Sequence, residues 1–307
     1  MSQALDFRGV FPILVTPFLD DESLDLASLD RVVRFMVGVG VQGVTVLGVL
    51  GEANRLVDAE REEVIRAAVA ATAGRIPVVV GVSHTGSRST AALAARAREL
   101  GAAAVMVAPF REPVPNDQKI FDLYQRVAEE GGLPIVLQDH PASTQVHLSV
   151  PLMARMVAEI PQVACVKEEA VPTAPKLTAL AAALGERQVP VLVGLGALYA
   201  LFDLERGADG FMTGFAFPEV LLALVAGARA GDWHRVRQTY RRFLPLMVYE
   251  QQPGLAIRKE IYRLRGLIKG NRVRHPGATI DPATAEQLAR LLAAELPGVD
   301  LTQPLSL

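Results

Sequence analysis

The feature that most constrains this chain is a series of eight short, unbroken apolar runs spaced at roughly thirty residues, the size of one βα unit. They span Val10–Val15, Val44–Leu47, Pro77–Val82, Ala103–Ala108, Pro134–Gln138, Val163–Lys167, Val191–Gly194 and Gly210–Thr213. None alternates polar and apolar residues, so each predicts a strand of a parallel sheet buried on both faces. Between them, Leu26–Gly40, Asp58–Ala73, Ser87–Gly101 and Gln118–Gly131 carry apolar residues at helical spacing. Gly40, Gly74, Gly101 and Gly131 predict helix C-caps. Eight such units close a (β/α)8 barrel, an α/β fold. Glu219–Ala230 completes the eighth unit. Trp233–Tyr249, Gly254–Arg265 and Pro282–Ala293 then predict a C-terminal helical appendage. The chain divides into a barrel over residues 1–230 and a helical extension over 231–307 packed on it.

At 307 residues and 50% hydrophobic content the chain has ample material for such a core. Its 31 basic residues nearly balance its 33 acidic ones, leaving no electrostatic footprint for nucleic acid or an anionic membrane. No long apolar stretch predicts a membrane span. The single cysteine, Cys165, excludes a disulfide framework within the chain and fits a reducing, cytoplasmic setting. Five scattered histidines show no ligand spacing, so no metal is expected. No Gly-x-Gly-x-x-Gly segment joins a strand to a helix, and no cofactor is expected.

Barrel active sites gather at the C-terminal ends of the strands. That rule selects Thr16, Pro17, Gly48–Glu52, Ser83, His84, Pro109, Phe110, Gln138–His140, Lys167, Gly194, Gly196 and Thr213. Only five of the basic residues are lysines, namely Lys119, Lys167, Lys176, Lys259 and Lys269. Lys167 alone closes an apolar strand. Burial disfavours an ammonium, and an amine so placed is suited to attack a carbonyl and form a Schiff base. The alternative is a lysine that snorkels from the mouth or pairs with Glu168 or Glu169. Lys259, in a charged helical stretch, reads as part of a solvated face.

Several of these segments form a pattern: Gly9-Val10-Phe11-Pro12, Thr16-Pro17-Phe18, Gly48 to Glu52, Arg61 with its helix, Gly81, and Val166-Lys167-Glu168. The chain resembles the dihydrodipicolinate synthase/N-acetylneuraminate lyase family of Schiff-base barrel enzymes from Gly9 almost to its end. The resemblance implies a small 2-oxo acid substrate, a lysine imine at C2, a carboxylate cradle in the Gly48–Glu52 loop and a homotetramer built as a dimer of dimers. Several signature positions differ. The family's Gly-Thr-Thr-Gly-Glu loop is here Gly48-Val49-Leu50-Gly51-Glu52, without hydroxyls. Its Tyr-Asn-x-Pro motif is here Gln138-Asp139-His140-Pro141. Ser143 stands where synthase members carry an arginine, and Phe110 where they carry a tyrosine.

Gln138-Asp139-x-Pro141-Ala142-Ser143, with His84 and Arg274-His275-Pro276, is similar to the 2-keto-3-deoxy-sugar-acid dehydratase branch, which includes L-2-keto-3-deoxyarabonate dehydratases. The resemblance therefore implies a lyase working by dehydration or aldol cleavage. Alternatives are a synthase-type condensation with pyruvate, or a catalytically silent 2-oxo-acid-binding homologue. Expected site residues are Lys167 and Gln138 for catalysis. Gly48, Val49, Leu50, Gly51, His84 and Thr213 are expected for substrate binding. The general acid/base stays open among His84, Glu52 and substrate-bound water, as do the roles of Asp139 and His140.

Overall fold

The computed structural model describes residues 5–113, 116–252 and 254–307. Eight parallel strands form one sheet: β1 Gly9–Val10, β2 Val44–Val46, β3 Val78–Gly81, β4 Ala104–Val107, β5 Ile135–Asp139, β6 Val163–Glu168, β7 Val191–Val193 and β8 Gly210–Phe211. The order runs β1-β8-β7-β6-β5-β4-β3-β2. The cylinder closes between its first two strands, where the Leu14 amide donates to the Thr45 carbonyl and the Thr45 amide to that of Pro12, both at 2.8 Å. The first run is shorter as a strand than expected, because Pro12 has no N–H to give a ladder. It resumes pairing only at Ile13, opposite Thr45.

Around the sheet lie α1 Leu26–Val39, α2 Asp58–Thr72, α3 Ser87–Glu99, α4 Asp117–Arg126, α5 Pro141–Thr144, α6 Val150–Glu159, α7 Thr173–Ala183, α8 Ala200–Glu205 and α9 Pro218–Arg229. Beyond them, α10 Trp233–Glu250, α11 Leu255–Leu264 and α12 Pro282–Glu295 form the C-terminal helices. No helix among the described residues is long and apolar enough to cross a membrane.

Gly40 ends α1 in the left-handed region at φ 86°, as expected. Gly131 does not cap its helix. It lies inside a π-helical turn, Val127–Gly131, that Gly132 ends at φ 68°. A Cβ on Gly131 would fall 2.7 Å from that of Ala94, so this glycine lets α3 and the π turn approach closely. The resulting contact belongs to the helical shell.

Two apolar layers result from the alternation of strand side chains. Val79, Ala104, Met106, Val136, Cys165, Leu192 and Met212 fill the barrel lumen, whereas Val78, Val80, Val105 and Val166 face the helices. Burial pushes the Cys165 thiol up, leaving it a neutral lumen side chain. The same alternation carries Gln138 and Lys167, two residues beyond Val136 and Cys165, to the lumen's upper end. Their neighbours Asp139 and Glu168 turn outward.

Lys259 contradicts the expectation of a solvated face. It is fully buried, and its Nζ donates to Glu52 Oε1 at 2.5 Å and to the Arg272 carbonyl at 2.6 Å. The charged look of α11 misled because its partner lies 207 residues away in sequence. The pair joins α11 to the loop after β2.

Candidate active site

β5 and β6 set the site by register. Gln138 lies opposite Lys167, and Asp139 opposite Glu168. The chain continues its alternation one step past β6, so Glu169 also turns inward. Its Oε2 lies 3.0 Å from Lys167 Nζ and accepts from Gln138 Nε2 at 2.7 Å. Its Oε1 accepts from the Leu195 amide at 3.3 Å. Space for this carboxylate comes from Gly194, where a Cβ would fall 1.9 Å from Oε1. All three side chains are almost wholly buried.

Burial alone would raise the Glu169 carboxyl, but Lys167, His140 and the Gln138 amide outweigh it and hold the group below the ordinary carboxylate range. His140 Nδ1 stands 4.0 Å from Glu169 Oε2 and 2.7 Å from Ser143 Oγ. Burial, opposed by Glu169 and assisted by Lys167, lowers its pKa, which favours the neutral ring. A lysine, a carboxylate and an amide in contact at a lumen mouth can perform carbonyl addition with proton exchange. Glu169 was not expected for this role from sequence, although period-two alternation carried past Lys167 points to it.

Behind this face, Asp139 pairs with Lys176 of α7 and accepts the Leu148 amide at 3.3 Å. Glu168 accepts the Ala170 amide at 2.7 Å and lies 3.7 Å from Lys176. Burial, with Asp139 adding to it, pushes Glu168 up to about 8. Both carboxylates therefore belong to the helical shell, not to the mouth.

The Gly48–Glu52 loop forms a short 3-10 turn over Val49–Gly51. Its Gly51 and Glu52 amides bond internally at 3.0 and 3.1 Å, and Thr16 Oγ1 donates to the Gly51 carbonyl at 2.7 Å. Leu50 packs on the lumen core, whereas Val49 is 60% exposed. Glu52 is wholly buried and faces away from Lys167. Its Oε2 accepts from Arg55 at 2.7 Å and from the Arg274 amide at 3.0 Å, completing the Lys259 pair. Thr213 is buried and accepts the Gly196 amide at 2.8 Å. His84 stands apart from Lys167, exposed on its loop, where its Nδ1 accepts the Gly86 amide at 3.1 Å. It lines a cleft of about 590 Å³ together with Phe110, Arg111 and Gln145.

Comparison with known proteins agrees with this architecture. The model of the dihydrodipicolinate synthetase family matches residues 6–295. An L-2-keto-3-deoxyarabonate dehydratase from Azospirillum brasilense is 38% identical over 288 residues, covering 92% of each chain. A 4-hydroxy-tetrahydrodipicolinate synthase from Thermotoga sp. (strain RQ2) is 29% identical, covering 93% of this chain and 98% of its own. Among solved structures, a dihydrodipicolinate synthase from Rhodopseudomonas palustris superposes with a TM-score of 0.89 at 36% identity, covering 94% of this chain and 97% of its own. A prophage protein of the same family from E. coli K12, solved in complex with pyruvate, gives 0.87 at 26% identity, covering 94% and 98%. With a family match over nearly its whole length and a barrel of the same form, the chain belongs to the dihydrodipicolinate synthetase family of lyases.

Proposed function

We propose that this protein is a Schiff-base lyase that dehydrates a 2-keto-3-deoxy sugar acid. The observation that carries this reading is the contact of Lys167 Nζ with Glu169 Oε2 at 3.0 Å, with the Gln138 amide on the same oxygen. Lys167 attacks the C2 carbonyl and, as water leaves, forms an iminium. Glu169 takes the proton that the ammonium sheds, gives it to the carbinolamine hydroxyl that departs as water, and then, again a carboxylate, removes a C3 proton to give an enamine. The enamine expels the C4 hydroxyl as water, with the proton returned from Glu169. Hydrolysis of the unsaturated iminium regenerates the lysine, so one water is lost overall. Gln138 orients Glu169 by its N–H, a task an amide performs without titrating. One group that takes the C3 proton and returns it at C4 is enough for the elimination, and the contact of Glu169 with Lys167 supports that role. The dehydratase name of the Azospirillum brasilense relative supports the same choice.

In the loop of Gly48, Val49, Leu50 and Gly51, the first three bind the substrate carboxylate through their amides, while Gly51 and Glu52 spend theirs inside the turn that shapes the cradle. Thr213 closes that end of the mouth. His84 and Phe110 line the rim cleft, where a neighbouring subunit of a homotetramer adds its own Phe110. The helices after residue 230 serve as an extension of the barrel. The single cysteine, buried and unpaired, fits a cytoplasmic enzyme. No cofactor enters this scheme.

Borohydride added with pyruvate or a 2-keto-3-deoxy acid tests the imine, by fixing a stable amine on the peptide holding Val166-Lys167-Glu168. A panel of 2-keto-3-deoxy acids assayed for released water-loss product or pyruvate tests dehydration against cleavage. Adduct on another lysine, or none with any 2-oxo acid, would overturn the reading.

A further inference from the structure

Two strands round the barrel from Lys167, the segment after β8 is held by two buried ion pairs. Arg265 Nη1 donates to the Ala216 carbonyl at 2.7 Å, and its Nη2 to Glu219 Oε1 at 2.5 Å. The Ala216 amide donates to Glu250 Oε1 at 3.0 Å. Glu250 Oε2 accepts from Arg258 through Nε at 3.2 Å and Nη2 at 2.6 Å. One edge of the Arg258 guanidinium is thereby fixed on a carboxylate that is itself fixed on the backbone.

The other nitrogen, Arg258 Nη1, is buried and has no hydrogen-bond partner among the described residues. Arg258 as a whole is 2% exposed. A guanidinium stays charged and accepts nothing, so only an acceptor brought from elsewhere can satisfy this nitrogen. Its position is marked by Gly214, just past β8. A Cβ there would fall 2.6 Å from Nη1 and 2.5 Å from Leu50 Cδ1. Gly214 does not adopt a positive φ, so its glycine serves space and not backbone conformation. Arg258, Gly214 and the partly exposed Leu50 thus converge on one point of the rim. Leu50 belongs to the loop whose hydroxyls this chain lacks.

We infer that Arg258 Nη1 donates to a carboxylate oxygen of the bound 2-oxo acid, in place of the hydroxyls absent at Val49 and Leu50. This rests on the proposed 2-oxo acid reading and adds a specificity-determining residue to it. A carboxylate is the acceptor-only, charged group of that substrate, and a charge-assisted bond from a prefixed guanidinium is the strong kind. Leu50 shelters the donor from water, where such a bond gains strength. Because Glu250 already offsets the arginine's charge, the site offers a directed donor and not a diffuse positive field.

The test compares pyruvate with pyruvamide, which keeps the 2-oxo group and loses the anion. Borohydride trapping on Lys167 at subsaturating ligand should favour pyruvate in the native protein. Arg258→Lys keeps a cation for Glu250 but not the second nitrogen. Arg258→Met with Glu250→Gln removes both charges and keeps an acceptor for the Ala216 amide. In both variants the preference for pyruvate should fall about ten- to a hundredfold, while pyruvamide trapping stays near native. Calorimetric binding of lactate and lactamide, which have no carbonyl, reads Arg258 independently of the imine. Lactate should bind the native protein in preference to lactamide, and the variants should lose that preference. A native protein without it, or variants that melt as the native does and retain it, would overturn the inference. Absence of a Lys167 adduct beside an intact lactate preference would sink the imine alone.

Discussion

Among the described residues, two lysine–glutamate pairs lie almost wholly buried, and they differ in how completely their atoms are used. Lys259 and Glu52 are wholly enclosed, at 2.5 Å. Lys259 also donates to the Arg272 carbonyl and lies 4.5 Å from the Phe18 ring centre, and Glu52 accepts from Arg55 and Arg274 as well. Burial pulls Lys259 down to about 8 despite Glu52. Lys167 and Glu169 meet at 3.0 Å, and beyond Glu169 no hydrogen-bond partner of Lys167 is found among the described residues. The first pair has no capacity left for a substrate. The second keeps donor positions free at a lumen mouth. A perturbed, buried lysine such as Lys259 is therefore not by itself a nucleophile, and it is the open donor positions of Lys167 that support its proposed role.

Exchanging the two lysines one at a time breaks the comparison most sharply. Lys167→Ala should abolish turnover and the borohydride adduct. Lys259→Met should leave the adduct on Lys167, yet lower stability by about 3–5 kcal/mol in urea unfolding, because it removes one member of a buried pair and leaves Glu52 Oε1 and the Arg272 carbonyl without their donor. An adduct on Lys259 in the Lys167→Ala protein would invert the assignment.

The glutamates give the next contrast. Glu169→Gln should reduce kcat by about a hundredfold to ten-thousandfold, the loss expected for a proton-transfer group, with the imine still trapped above neutral pH. Glu52→Gln should cost stability and leave kcat of the folded fraction within a few-fold of native. Equal kinetic losses from both would erase the distinction between the pairs.

Gln138→Tyr is expected to act more weakly. It removes an N–H from Glu169 Oε2 and supplies a hydroxyl, so trapping should persist while dehydration falls about tenfold, the worth of one hydrogen bond. Dehydration unchanged, with cleavage gained, would mean that Gln138 only fills space.

The last contrast is one of pH and concerns Glu168, on the outer face of the same strand. Its folded pKa stands near 8 against an ordinary 4.5, so the folded state holds a proton that the unfolded chain releases. Its contribution to stability is greatest below pH 4.5, declines as pH rises through that window, and stays reduced above 8. Glu168→Gln should flatten this decline in urea midpoints collected between pH 4.5 and 8.

The barrel was legible because its strands are short apolar runs, which parallel pairing demands. Lys167 and Gln138 were legible because they end two such runs. Glu169 was legible as one of two partners for Lys167 but not as its base, since Glu168-Glu169 reads as one charged step unless alternation is carried past the strand. Arg258 and Lys259 were hidden for another reason. Their helix looks solvated locally, and its partners come from Glu250 and from Glu52 after β2. Gly132, not Gly131, ends its helix because a π turn shifts the register by one residue, which helical periodicity does not anticipate.

The pairing of Gln138 with Lys167 and of Asp139 with Glu168 makes β5 and β6 a two-sided cassette. Anyone transplanting this chemistry into another barrel inherits both sides. The lumen side carries Lys167 and Glu169, the proposed nucleophile and base, and the outer side carries two acidic side chains that pair with Lys176 of α7. A graft that copies only the mouth leaves those carboxylates buried against a foreign helix. The donor unit for such engineering is thus strand, strand and helix together, cut between residues 135 and 183.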